Sequence, residues 1–370
     1  MSAYKRLRGI RFIAALVLTF AMLSMQIHAL SISAEGYILI DAESGDVLYG
    51  SNYNAKMPMA STTKIMTAVV AIENMALNTK ITIPDAAVGI EGSSIYLCKG
   101  ESLTLEELLY ALLLSSANDA AVAIAISIGG SIERFANMMN ETASRLGLKD
   151  SHFTNPHGLD DEDHYTTAKD LAKLTAYALK LPIFRQIVST YKKTISFNNN
   201  ENGRLLVNHN KLLNTYQGIF GVKTGFTKRS GRCLVSAAER DGTVLISVTL
   251  NAPDDWRDHK ALLDYGFDNY ETVELGGISF ELPVISGNKL TLSCTTSERV
   301  KVLLPKSHGN IEACIEIYPF AYAPVDKGEV LGCAVYFCDG KEIARIDIVS
   351  SEQVDVLKQK CTIWDIIFNK

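Results

Sequence analysis

The sequence has no cysteine pair in C-x-x-C spacing, no H-E-x-x-H and no G-x-S-x-G. The first two absences exclude a zinc ribbon, a dithiol redox centre and a zincin, and the third excludes the serine elbow of an α/β-hydrolase. Cys98, Cys233, Cys294, Cys314, Cys333, Cys338 and Cys361 are scattered, and their odd number leaves at least one unpaired. Cys333 and Cys338 stand five apart in a β-rich run and so point to opposite faces of a strand, which makes small buried thiols the expectation. His152, His157, His164, His209, His259 and His308 show no ligand spacing, so neither metal nor cofactor is expected. Positive charge is also short: 36 Lys and Arg face 41 Asp and Glu, for a formal charge of −5. That balance argues against a nucleic-acid partner, which needs a basic surface. Internal repeats and low-complexity tracts are absent, as are Gly/Ser-rich linkers.

Long apolar runs are few, and one of them opens the chain. Lys5, Arg6, Arg8 and Arg11 precede an apolar run from Phe12 to Met25, with small residues at Ala29 and Ala34. This order reads as a secretory signal peptide over residues 1–29, cut near Ala29 or Ala34, and the run is shorter than the roughly 20 residues a membrane span needs. The remaining chain reads as two domains.

Residues 35–275 carry an α/β (α+β) pattern. A hairpin spans Tyr37 to Leu48, helices are expected at Thr62–Met75, Leu105–Ala125, Ile132–Leu146 and Thr167–Leu179, and Pro182 marks the end of the last. Strands at Lys193–Phe197, Gly221–Thr224, Cys233–Arg240 and Val244–Leu250 precede a closing helix at His259–Tyr270, giving a sheet that joins both ends of the segment and is flanked by helices. Residues 276–352 change to short β-rich runs split by turns such as Ser286-Gly287-Asn288 and Asp339-Gly340, as in a small all-β sandwich. Residues 353–370 place Leu357, Cys361, Trp364 and Phe368 on one helical stripe framed by Lys358, Lys360 and Lys370. That is the pattern of an amphipathic C-terminal helix, either lying on a membrane surface or packed on its own domain.

Three short patterns carry possible chemistry. Ser61 and Lys64, in Ala60-Ser61-Thr62-Thr63-Lys64, stand three apart at a helix start, which puts a hydroxyl within reach of an amine. A serine needs a base, and a lysine serves when desolvation or a neighbouring cation keeps it neutral; alone, Ser61 reads equally as a helix cap. Ser116 and Asn118 follow Leu112-Leu113-Leu114, a polar pair in an apolar setting that should face a cavity or each other, with a helix cap or a bend as the other reading. Lys223-Thr224-Gly225 occurs once, in a β-rich stretch, and offers a cation and a hydroxyl for a carboxylate beside a glycine that lets a ligand backbone approach closely; alone, it reads as an exposed strand end. Arg257 is a further carboxylate candidate, with a surface arginine as the other reading.

Taken in this order, the three patterns resemble the active-site-serine D,D-peptidases and serine β-lactamases. Around them, Pro58 to Thr67, Ser116 to Ala121, Thr154-Asn155-Pro156-His157-Gly158-Leu159, Thr166 to Leu171 and Asn208 to Leu213 are similar to the low-molecular-mass penicillin-binding D-alanyl-D-alanine carboxypeptidases. The likeness runs from about Ala34 to Tyr270, and the β-rich remainder resembles that family's C-terminal domain more loosely. It implies a β-lactamase/transpeptidase-like catalytic domain in which Ser61 is the nucleophile and Lys64 takes its proton. Ser116, with Lys223, would relay a proton to the leaving amine, and Asn118 would hold Lys64 and the substrate amide. Lys223 and Thr224 would bind the terminal carboxylate, and the backbone N–H groups of Ser61 and Phe226, beside Gly225, would bind the oxyanion. The implied substrates are peptidoglycan stem peptides ending in D-Ala-D-Ala, with β-lactam antibiotics as covalent inhibitors, on the outer face of the cytoplasmic membrane or in secreted form. A D,D-endopeptidase, a β-lactamase and a non-catalytic penicillin-binding sensor are the alternatives. Against a class A β-lactamase stand Ala117, where that class has aspartate, and the lack of a clear Glu-x-x-Leu-Asn segment.

Overall fold

Apolar residues alternate along the strands of the first domain, and the alternation sorts them onto two cores. In a computed structural model, which describes residues 30–197 and 203–358, β1 (Gly36–Asp41) sends Ile38 and Ile40 to one face and Leu39 to the other. β8 (Gly231–Arg240) and β9 (Thr243–Leu250) do the same, with Val235, Ala237, Ile246 and Val248 on the first face and Ala238 and Leu245 on the second. With β2 (Val47–Ser51) and β7 (Ile219–Thr227) they form a five-stranded antiparallel sheet in the order β2-β1-β9-β8-β7. The expected joining of both ends of the segment is borne out by the pairing of β1 with β9.

The first face carries the large core, built with α1 (Lys64–Asn74), α2 (Leu105–Leu114), α3 (Asn118–Gly129), α4 (Ile132–Arg145), α5 (Ala168–Leu179) and α6 (Pro182–Ser189). α7 (Asp255–Asn269) covers the second face with Leu262, Leu263 and Phe267. Two short hairpins complete the domain: β3 (Lys80–Thr82) with β4 (Ser102–Thr104), and β5 (Lys192–Ile195) with β6 (Arg204–Val207). Helix starts follow local chemistry: Thr104 and Glu107 form a reciprocal capping box on α2, and Thr167 caps α5. Ser33 and Ala34 belong to the folded unit, because both backbone N–H groups and the Ser33 hydroxyl donate to Asp258 Oδ2 at 2.6–3.1 Å.

Two helix expectations change. The apolar run Leu105 to Ala125 is not one helix but α2 and α3, broken at Ser115-Ser116-Ala117, where Ser116 turns to φ +57°. Both halves are buried all round, so apolar periodicity carries no sign of the break. Pro182 does not merely end α5; it opens α6 from the first helical position, where its missing N–H costs nothing.

The chain leaves α7 directly into β10 (Tyr270–Gly276), which pairs along its length with β13 (Arg299–Pro305). The β-rich region therefore begins at Tyr270, earlier than the expected 276. A six-stranded sheet, β14-β16-β17-β12-β11-β15, forms the other layer; the strands are β11 (Ser279–Ile285), β12 (Thr291–Thr296), β14 (Ile311–Ile317), β15 (Ala321–Tyr322), β16 (Val330–Cys338) and β17 (Lys341–Ser350). Leu282, Leu292, Ala334 and Ile348 of this layer share a core with Val273 and Val302 of the pair, which is the expected sandwich.

Val354 is fully buried in that core and bridges Val325, while Val356 bridges Gly287. Residues 353–358 are thus extended, contrary to a helix starting at 353; residues 359–370, like residues 1–29 of the expected signal peptide, lie outside the described residues. Among the described residues no helix is long and apolar enough to cross a membrane. Six cysteines are free thiols: Cys233, Cys294 and Cys338 are buried as expected, whereas Cys98 and Cys314 are exposed and Cys333 is half-buried. Those three lie where little packs over the strand or loop that carries them.

Candidate active site

Ser61 sits in a 3-10 turn, Ala60–Thr63, that runs straight into α1. It caps neither element, because the cap positions fall at Met59 and Thr63 and neither side chain makes a capping bond. Its hydroxyl instead lies 2.8 Å from Lys64 Nζ. The turn is pressed from one side by β7: a Cβ on Gly225 would stand 3.0 Å from the Ser61 nitrogen and 3.1 Å from Ala60 Cβ. Glycine there is a matter of space, as the sequence suggests.

Lys64 is wholly buried and meets two more oxygens, Asn118 Oδ1 at 2.7 Å and the His157 carbonyl at 2.6 Å. The Asn118 orientation is fixed by its other end, since Nδ2 donates to the Glu91 carbonyl at 2.6 Å. Oδ1 and the carbonyl can only accept, so they take two N–H bonds from the lysine. A neutral amine has two hydrogens and one lone pair, which leaves that lone pair for the Ser61 hydroxyl proton. Burial, and next the nearby Lys223 charge, hold the Lys64 amine well below the usual lysine range, against a smaller opposing pull from Asp119. Burial and the neighbouring charge thus favour the neutral amine, and in that form the three-oxygen arrangement leaves the lone pair for Ser61.

The break between α2 and α3 is what delivers the second pattern. Ser116, in its left-handed turn, faces the same cleft as Ser61, and Asn118 opens α3 beneath it. Asp119 then ties down the loop over the site, accepting from Ser94 Oγ at 2.6 Å and from the Leu97 N–H at 3.0 Å, while Asn118 N–H donates to the Ser93 carbonyl at 2.7 Å. Lys223 is 1 % exposed, donates to the Thr224 carbonyl at 2.8 Å, and is pushed down to about 7 by burial. The cleft, about 300 Å³, is lined by Ser61, Ser93, Ser116, His209, Thr224, Gly225 and Phe226, and is closed at one end by Arg232, Asp255 and Trp256.

Comparison with known proteins places this constellation. Residues 23–254 match the family model described as D-alanyl-D-alanine carboxypeptidase, and residues 267–356 match that of the C-terminal domain of penicillin-binding protein 5. The chain belongs to the D-alanyl-D-alanine carboxypeptidase family. It is 32% identical to the Bacillus subtilis D-alanyl-D-alanine carboxypeptidase DacF over 95% of both chains, and 31% identical to Escherichia coli DacC over 98% of this chain and 96% of that one. Among solved structures, penicillin-binding protein 5 from Haemophilus influenzae superposes with a TM-score of 0.72 at 31% identity, covering 88% of this chain and 99% of that one. A Streptococcus pneumoniae structure titled as a peptidoglycan synthesis regulatory factor (PBP3) gives 0.74 at 25% identity, over 88% of this chain and all of that one.

Within this carboxypeptidase fold Ser61, Ser116, Thr224, Gly225 and Phe226 line one cleft; Lys64 and Asn118 are buried and reach it through the Ser61 hydroxyl, and the buried Lys223 does not line it. Arg257 does not join them. Its side chain is 59% exposed, sits 3.2 Å from Asp254 and 3.7 Å from Asp258, and lines no part of the cleft. Helical phase explains the difference: on α7 the neighbours Asp255 and Trp256 face the cleft, and the next residue has rotated past it. The guanidinium at the cleft belongs to Arg232, which stands opposite Phe226 in the β7–β8 register, donates from Nε to Asp255 Oδ1 at 3.0 Å and lies over the Trp256 ring. Sequence reading missed Arg232 because nothing in Gly231-Arg232-Cys233 marks it; only the pairing of β8 with β7 does. It also left His157 and His164 without roles, although the run Thr154 to Leu159 was visible as a family feature.

Proposed function

We propose that the chain is a serine D,D-carboxypeptidase that removes the terminal D-alanine from peptidoglycan stem peptides through an acyl-enzyme on Ser61. The observation that carries this reading is the set of three oxygens around Lys64, two of which can only accept and one of which is the serine hydroxyl. Lys64 takes the Ser61 proton as Oγ attacks the carbonyl carbon of the penultimate D-alanine. The oxyanion forms against the backbone N–H groups of Ser61 and Phe226. The peptide C–N bond then breaks, the leaving amine receives through Ser116 the proton that Lys64 took from Ser61, and D-alanine departs with Lys64 neutral again. Water attacks the remaining ester, with Lys64 again taking a proton, and Ser61 is regenerated.

Lys223 and Thr224 bind the free carboxylate of the substrate, with Arg232 at the closed end of the same cleft as a second cation. Asn118 holds Lys64 and receives the substrate amide. β-Lactam antibiotics acylate the same serine. The leader-like residues 1–29 support export, and the helical spacing of Cys361, Trp364 and Phe368 beside Lys360 and Lys370 supports peripheral contact with the outer face of the cytoplasmic membrane. The test is free D-alanine released from a peptide ending in D-Ala-D-Ala. Release is expected from the wild type and not from Ser61→Ala, and release unaffected by that substitution discards the mechanism.

A further inference from the structure

The peptide unit joining Ala60 to Ser61 is held in an uncommon place. Ala60 has φ +47°, a region that costs a residue with a Cβ about 1–2 kcal/mol and persists only where surroundings impose it. Two neighbours impose it here. Thr63 Oγ1 donates to the Ala60 carbonyl at 2.7 Å. Gly158 lies so near that a Cβ on it would stand 2.0 Å from the same oxygen.

Behind Thr63 stands His164, buried, with Nε2 2.7 Å from Thr63 Oγ1. The single hydroxyl proton of Thr63 is committed to Ala60, so Nε2 must donate. The Thr154 N–H points at Nδ1 from 3.0 Å, which requires a lone pair there. The ring is therefore neutral with its hydrogen on Nε2, and burial, outweighing the pull of Asp161, keeps it so by pushing its pKa down to about 4. The Phe153 ring, edge-on at 5.8 Å, packs beside it.

A trans peptide is planar, so its C=O and N–H point in opposite directions as one rigid unit. Fixing the Ala60 oxygen thereby aims the Ser61 N–H. We propose that His164 is a positioning residue for acyl transfer: through Thr63 it holds the Ala60–Ser61 peptide so that the Ser61 N–H meets the developing oxyanion. His164 does not line the cleft and acts only through Thr63. The inference rests on the carboxypeptidase reading, which supplies the oxyanion.

The experiment compares Thr63→Val, Thr63→Ser, His164→Phe and the Thr63→Val/His164→Phe double variant in the otherwise full chain. It follows D-alanine release and, separately, the rate of acylation by a fluorescent penicillin, with thermal melts alongside. Losing the aim of one oxyanion donor is expected to lower kcat about 10- to 100-fold, with KM within about twofold because the ground-state carboxylate contacts survive. Thr63→Ser, which keeps the hydroxyl, restores kcat to within about threefold, and the double variant is no slower than the slower single. Wild-type kcat and acylation in Thr63→Val overturn the inference, as does a loss confined to KM or an additive double variant. Should His164→Phe fail to fold, the Val and Ser variants of Thr63 decide the matter alone. Absence of D-alanine release from the wild type overturns the carboxypeptidase reading instead, while penicillin acylation still reports on the brace.

Discussion

Asn118→Asp changes one atom type and tests whether Lys64 works as a free base. The new oxygen takes the place of Nδ2, which faces the Glu91 carbonyl, while Oδ1 keeps its place 2.7 Å from the lysine nitrogen and now belongs to a carboxylate. A unit negative charge at about 4 Å is worth about 4 kcal/mol at an effective dielectric of about 20. At about 1.4 kcal/mol per decade this favours the ammonium over the amine by about a thousandfold. The sign follows directly: a proton held more tightly leaves at higher pH, so the fraction of enzyme with a free lone pair collapses at neutral pH and returns as pH rises. Burial and the Lys223 charge already hold wild-type Lys64 down, so the wild type is expected to depend less on alkaline pH than this variant. The assay is D-alanine release from a D-Ala-D-Ala peptide as a function of pH, beside Asn118→Ala, which shares the loss of the bond to the Glu91 carbonyl, also loses the contact to Lys64, and adds no charge. The expected result is a loss of about 10²- to 10³-fold at pH 7 in Asn118→Asp that diminishes steadily toward alkaline pH, and a pH-independent loss in Asn118→Ala. Parallel profiles for the two variants refute the assignment of Lys64 as the neutral base.

Arg232→Ala should raise KM about 10- to 100-fold, the cost of one charge-assisted contact to a carboxylate, while Arg257→Ala stays within about twofold; the reverse ranking in steady-state kinetics would return the role to Arg257. Because burial pushes Lys223 down to about 7, its charge is present below that pH and lost above it. KM is therefore expected to climb as pH passes through 7, and Lys223→Gln should lack that limb; a flat wild-type KM from pH 6 to 8 contradicts it. Removing residues 354–370 should lower the melting temperature of the β domain, since Val354 is fully buried, whereas removing 359–370 should spare the melt and reduce pelleting with anionic liposomes; equal pelleting retires membrane contact.

Much of this was legible because the chemistry is local where it matters. Ser61 and Lys64 are three residues apart, so a helical turn brings them together without help from the rest of the chain. The sheet was legible as short apolar, β-rich runs, although in β1 only the structure separates Ile38 and Ile40 from Leu39. What was hidden depends on partners far along the chain. The polar residues at Ser116 and Asn118 allow a bend, but the apolar runs on both sides do not decide it, and the choice between Arg232 and Arg257 needs the β7–β8 register and the phase of α7. His164 and Thr63 are 101 positions apart, and nothing in either neighbourhood announces the other. The start of the β region at Tyr270 was obscured for a related reason, since β10 finds its partner only at β13.

The order β2-β1-β9-β8-β7 has a consequence for the timing of activity. The nucleophile and its base are made early, yet the strand that walls their cleft and the strand that seats β1 in mid-sheet arrive only after most of the domain has been synthesised. A chain emerging residue by residue carries a serine and a lysine open to water, and the lysine stays an ordinary ammonium until β7 and β8 pack against its turn. Reactivity is thereby withheld from every incomplete copy.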